Sequence, residues 1–177
     1  MLLVEQSVKL IMNILIAILI LIIYTITLIK IGGQVPPSLS ASVFNIPTNK
    51  RWIWTVVLFA VCFLCVPTYI EKTSENTQFL AFLAIAGLAF VGAAPLVKFS
   101  DDKMQFRVHE IGAIVCAACS QIHLVFNNFW LLFAWIIYLG LFAWYTKDSG
   151  ETWNTWKTKI FWGEMICFGN VFTFCLI

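Results

Sequence analysis

The sequence predicts an all-α fold, a polytopic bundle of six transmembrane helices forming one domain over residues 1–177. Three observations carry this expectation. Hydrophobic residues make up 61% of the chain and charged residues 11%, with a mean hydropathy of +0.90, whereas a soluble domain is about 25% charged. The apolar residues fall into six stretches of membrane-spanning length, and the basic residues collect in alternate connectors. Folded in water, such a chain would leave more apolar surface than it could bury, so its solvent is the bilayer.

The first stretch, 10–29, has the roughly 20 apolar residues that cross a hydrocarbon core, against about 7–15 in a signal sequence. No small-x-small cleavage site follows, so it is read as the first helix. The connector "KIGGQVPPSLSASVFNIPTNKR" (30–51) carries two glycines and three prolines, which break any long helix. Stretches 52–70 and 79–97 give helices two and three, with Pro67 and Pro95 read as terminators near their ends. Stretch 109–126 is the fourth. Only Asn127 and Asn128 separate it from the fifth, 129–145, which predicts a tight antiparallel hairpin with helices four and five as neighbours. The sixth is 160–177. Each stretch gives roughly 25–30 Å of helix.

Loop charge sets orientation. Loops one, three and five carry Lys30, Lys50, Arg51, Lys98, Lys103, Arg107, Lys147, Lys157 and Lys159; the other side has only Lys9 and Lys72. The positive-inside rule then places loops one, three and five in the cytoplasm and both termini outside. Trp52, Trp54, Trp144, Trp153, Trp156 and Trp162 cluster at the basic side, as an interfacial belt would. The net charge of +2 and the scattered basic residues give no footing for nucleic acid.

All six cysteines, including the CxxC pairs Cys62/Cys65 and Cys116/Cys119, fall inside apolar runs and are read as small packing residues. On the fourth helix, His109, Cys116, Ser120, His123 and Asn127 follow at helical spacing and form a polar stripe. A polar stripe on a spanning helix faces the bundle interior. It can line a site or simply bond helix to helix. At the cytoplasmic mouth stand Asp101, Asp102, Arg107, His109 and Glu110, with Glu164 about one turn into the sixth helix and Ser38 and Ser40 in the loop above. An acid within a span must be protonated, paired or wet, and Arg107, His109 and Lys159 are candidate partners for Glu164. These groups are the candidate site for a lipid headgroup. The competing reading is a set of charges snorkelling at helix ends. No serine here has a base that the sequence identifies, so binding ranks ahead of catalysis.

"PPSLSASVFNIPTNKRWIW" followed by "VHEIGA" resembles the DRAM/Sfk family of six-helix membrane proteins and its uncharacterised bacterial relatives. The matching positions are Pro37, Leu39 and Ser40, then Trp52 and Trp54, then His109, Gly112 and Ala113, within roughly residues 35–125. Where the family often has an acid after the serine, this chain has Ala41. The resemblance implies lipid organisation or lipid-anchor handling, without a reaction.

The chain's two histidines rule out a three-histidine zinc site of the alkaline-ceramidase kind within one chain. No metal or cofactor is expected, and the expected partner is membrane lipid, with a homo-oligomer an open possibility. Two alternatives remain. His109 and His123, about 21 Å apart on one helix face, have the spacing of stacked haem ligands in a membrane cytochrome b, with second ligands from a symmetry mate. The polar stripe with Glu164 could instead form a small transporter or proton pathway.

Overall fold

The computed structural model describes residues 2–96, 102–150, 152 and 155–177. Six α-helices follow in chain order: α1 (Leu2–Gly32), α2 (Trp52–Lys72), α3 (Gln78–Ala93), α4 (Asp102–Asn127), α5 (Phe133–Ser149) and α6 (Lys159–Leu176). No strand occurs among the described residues. All six are long and apolar enough, with their flanking turns, to cross a membrane, which is the architecture of a multi-pass membrane protein. The first and fourth helices extend well beyond the expected stretches 10–29 and 109–126, so that His109 lies two turns inside α4, and the third and fifth also differ in their bounds. α3 gives way to a single 3-10 turn, Ala94–Leu96, at Pro95, and position 97 lies outside the described residues. α5 is preceded by a 3-10 turn, Phe129–Leu132.

Pro67 does not end its helix. α2 runs through it to Lys72, since in a bilayer neighbouring helices can satisfy the backbone groups a proline frees. α1 turns one face inward: Ile14, Ala17, Leu21 and Tyr24 are buried at intervals of three and four, while Ile11, Leu15, Leu19 and Ile22 remain exposed to the apolar surroundings. Trp54 is completely buried beside Tyr24, ring centroids 5.1 Å apart, so it belongs to the core and not to an interfacial belt. Trp52, Trp144 and Trp162 are exposed; Trp153 lies outside the described residues.

Successive helices pack from α1 through α4, and α6 returns to touch α1, α2, α4 and α5. The tightest seam joins α3 and α4. A Cβ added at Gly87 would lie 2.6 Å from the Cys116 nitrogen and the Gly112 oxygen, and one at Gly112 would lie 2.9 Å from the Gly87 oxygen. Only glycine lets two helix backbones approach this closely. α4 and α5, in contrast, meet mainly around the turn that joins them and through a hydrogen bond from Trp135 to Gln121. The expected two-residue link and tight hairpin are not formed: Asn127 belongs to α4, Asn128 and the 3-10 turn Phe129–Leu132 lead into α5, and the main helical neighbour of α5 is α6.

Loop one is folded down onto the bundle through two 3-10 turns, Ala41–Asn45 and Thr48–Lys50. Leu39 and Val43 are fully buried and anchor it in the core. Arg51 ties its far end, donating to the carbonyls of Phe44 and Ile46 at 3.1 Å and lying over the Phe44 ring.

Candidate functional site

The first turn of a helix has backbone N–H groups without helical partners. At the start of α6 loop one supplies one: the Pro37 carbonyl accepts from the Phe161 N–H at 3.0 Å. One turn on, Glu164 returns the contact. Its Oε2 accepts from the Leu39 N–H at 2.6 Å and the Ser40 N–H at 3.3 Å. The Ser38 hydroxyl donates to both carboxylate oxygens, at 3.0 and 3.1 Å, and the Ser40 hydroxyl donates to Oε1. Ser38 also accepts the Ala41 N–H at 3.0 Å, which starts the following turn. The serine-rich loop and the acid within the sixth span therefore form one clasp, in which hydrogen bonds to donors compensate a carboxylate that is costly to bury.

This corrects two expectations. Glu164 bonds to serine hydroxyls and backbone amides, where Arg107, His109 or Lys159 was expected. Ser38 and Ser40 do have a carboxylate within reach, although four donor groups already occupy it. Arg107 and Glu110 are exposed. Asp101 lies outside the described residues, as does Lys98, and of Asp102 only its place at the start of α4 is described. His109 is buried with its ring edge-on to Phe44, centroids 5.2 Å apart, and beside the Val91 backbone.

The remainder of the α4 stripe faces inward. Ser120 is buried and donates to the Ala117 carbonyl at 3.0 Å. His123 is fully buried, with Tyr69 and Phe174 packed against its ring at 4.9 and 5.1 Å. Its Nε2 lies 2.9 Å from the Thr73 hydroxyl, which donates its own proton to the Tyr69 carbonyl. With that proton committed, Thr73 is the acceptor and His123 Nε2 the donor. Asn127 completes the cluster, donating to Thr77 at 2.8 Å and accepting from the Ser74 N–H at 3.2 Å. This end of the stripe thus pins the α2–α3 turn. Both imidazoles are packed against aromatic rings inside the bundle. Among the described residues no group of three or more His, Cys, Asp or Glu stands close enough to hold a metal, and all six cysteines are free.

Between these polar ends lies a cavity of about 410 Å³. Five helices line it, with Leu58, Cys62 and Val66 from α2, Ile85 from α3, Ala117 from α4, Trp135 from α5 and Cys167 from α6 among the contributors. Ser40, Lys159 and Glu164 stand at one end, so the clasp forms its floor. Cavities of about 300–1,000 Å³ with few polar groups are typical of ligand sites. Sequence reasoning missed this space and also the link that closes its flank. The Gln121 side-chain oxygen accepts from Trp135 Nε1 and Asn170 Nδ2, both at 2.9 Å, joining α4, α5 and α6. Two uncharged amides inside spans were the available signal.

Comparison of the chain with family models, curated proteins and solved structures finds no match.

Proposed function

We propose that this protein binds or organises membrane lipid, using the apolar cavity for the hydrocarbon part and the clasped loop-one end for the polar part. The observation that carries the reading is the pairing of a large apolar cavity with a polar floor built from Ser40, Lys159 and Glu164. A purely structural bundle has no need of such a space, because interhelical contacts in membranes are made by close fit. The resemblance of "PPSLSAS" and "VHEIGA" to the DRAM/Sfk family supports the same reading. The basic excess of loops one, three and five supports placing the clasp on the cytoplasmic side with both termini outside. The site as drawn consists of Ser38, Ser40 and Glu164; His109, packed on Phe44, does not line the cavity, and Arg107 and Glu110 are exposed.

Native mass spectrometry of protein released in mild detergent tests this. Wild type is expected to carry a retained lipid mass. Glu164→Leu removes the acceptor of four donor groups, loosens the floor and is expected to retain at least fivefold less, whereas the exposed Glu110→Gln retains as much as wild type. Wild-type protein free of retained lipid would sink the proposal.

A further inference from the structure

The size, length and opening of the cavity narrow the ligand class, given the lipid reading above. An apolar cavity of about 150 Å³ accommodates benzene, six carbons. By that ratio the 410 Å³ here takes about 16 carbons. Length gives a second measure. The lining runs along α6 from Lys159 to Phe172 and along α2 from Trp54 to Tyr69, which is about 20 Å of helix in each case. An extended hydrocarbon chain advances about 1.25 Å per bond for tetrahedral carbon geometry, so about 16 carbons again span it. Two chains side by side would need about twice the volume.

The cavity also has a way in. Ile114 of α4 and Ile160 of α6 belong to its lining, yet they are 59% and 56% exposed. The space therefore reaches the bundle surface between α4, α5 and α6. α5 stays close to α4 only at their connecting turn and through the Trp135–Gln121 hydrogen bond. The exposed lining side chains at the opening, Ile114 and Ile160, are apolar, which suits entry from hydrocarbon better than from water.

We propose that the cavity is a single-chain site: it takes one acyl chain of about 16 carbons from the surrounding leaflet, entering beside α5. The carboxyl or ester end rests near Ser40 and Lys159, and the methyl end points toward Tyr69, Val171 and Phe172. The shared chemistry is one long acyl chain, supplied either as a free fatty acid or as one arm of a two-chain phospholipid whose other arm stays in the bilayer.

The test is a chain-length series on full-length protein in detergent, with saturated fatty acids of 8 to 20 carbons read by native mass spectrometry. Binding is expected to be one chain per protein and to peak near 16 carbons. Val171→Phe, at the far end, is expected to move the peak two or more carbons shorter. Gly163→Leu sits at the mouth, where an added Cβ meets only the Trp135 ring at 3.7 Å. It is expected to fold as wild type and weaken all lengths about tenfold, which keeps the test decisive if Val171→Phe is unstable. Competition by a palmitoyl-oleoyl phospholipid identifies the chain as an arm of a membrane lipid, and failure to compete identifies a free fatty acid; either outcome keeps the single-chain site. Binding independent of chain length, or unchanged in Gly163→Leu, overturns the single-chain site while leaving a retained lipid to support the broader reading.

Discussion

Along the α3–α4 seam, Gly87 and Gly112 bring two backbones into direct contact; along α5, one hydrogen bond from Trp135 to Gln121 spans to α4 beyond their shared turn. The α3 span is 44% buried and the α5 span 6%, yet both are strongly apolar, with mean hydropathies of 2.3 and 1.7. Hydropathy therefore does not decide which helix is packed. Lipid tails are as apolar as leucine, so helices associate where surfaces fit and where polar groups find each other. Glycines supply the fit on one side. On the other, the bulky Trp135 and Tyr138 line the cavity between α5 and the bundle and reach across to Gln121 and to the Lys159 carbonyl, at 2.9 and 2.8 Å.

The sharpest way to break this contrast is to put a methyl group on each side of it. Gly87→Ala drives a Cβ into backbone atoms that cannot rotate away, and the cost is about 3 kcal/mol, the upper range for overpacking. The same change at Gly140 on α5, where nothing lies within 4 Å, is neutral or gains up to about 1 kcal/mol from helix propensity. Thermal unfolding in detergent, followed by intrinsic fluorescence, distinguishes them; equal shifts in the two variants would contradict the difference in packing.

A polar pin within the well-packed half gives the next largest effect. Thr73→Val keeps the shape but removes the acceptor of His123 Nε2, leaving a fully buried donor unpaired, at about 1–2 kcal/mol. The α2–α3 turn it anchors should show faster amide exchange at Ser74, and an unchanged rate there would mean that the bond holds nothing.

The smallest effect belongs to the loose half. Trp135→Phe deletes the hydrogen bond to Gln121 and keeps most of the ring, so stability falls by about 0.6 kcal/mol, the average for a polar pair between membrane helices. Exchange of a bound chain should nonetheless speed up, because α5 flanks the mouth. Slower or unchanged exchange would show that entry lies elsewhere.

Particular residues show how much could be read in advance. The six spans and the inward stripe of α4 follow from hydropathy and helical period, which are local properties. Glu164, Ser38 and Ser40 stood out as polar groups at one end, but their pairing joins positions about 125 apart and uses the Leu39 and Ser40 backbone amides, which composition does not register. Pro67 was misread because the helix-breaking rule belongs to water-exposed helices. Trp54 was misread because interfacial tryptophans are recognised by depth alone, and depth does not tell which side of a helix meets lipid.

The sequence by itself determined the number of spans and their approximate places in the chain, because each depends on a residue and its near neighbours. Only the tertiary structure decided that Gly87 and Gly112 touch, that loop one caps α6 through Glu164, and that α5 stands off to leave an apolar cavity. In a bilayer these depend on shape complementarity between distant segments, and a string of equally apolar residues carries almost no record of it.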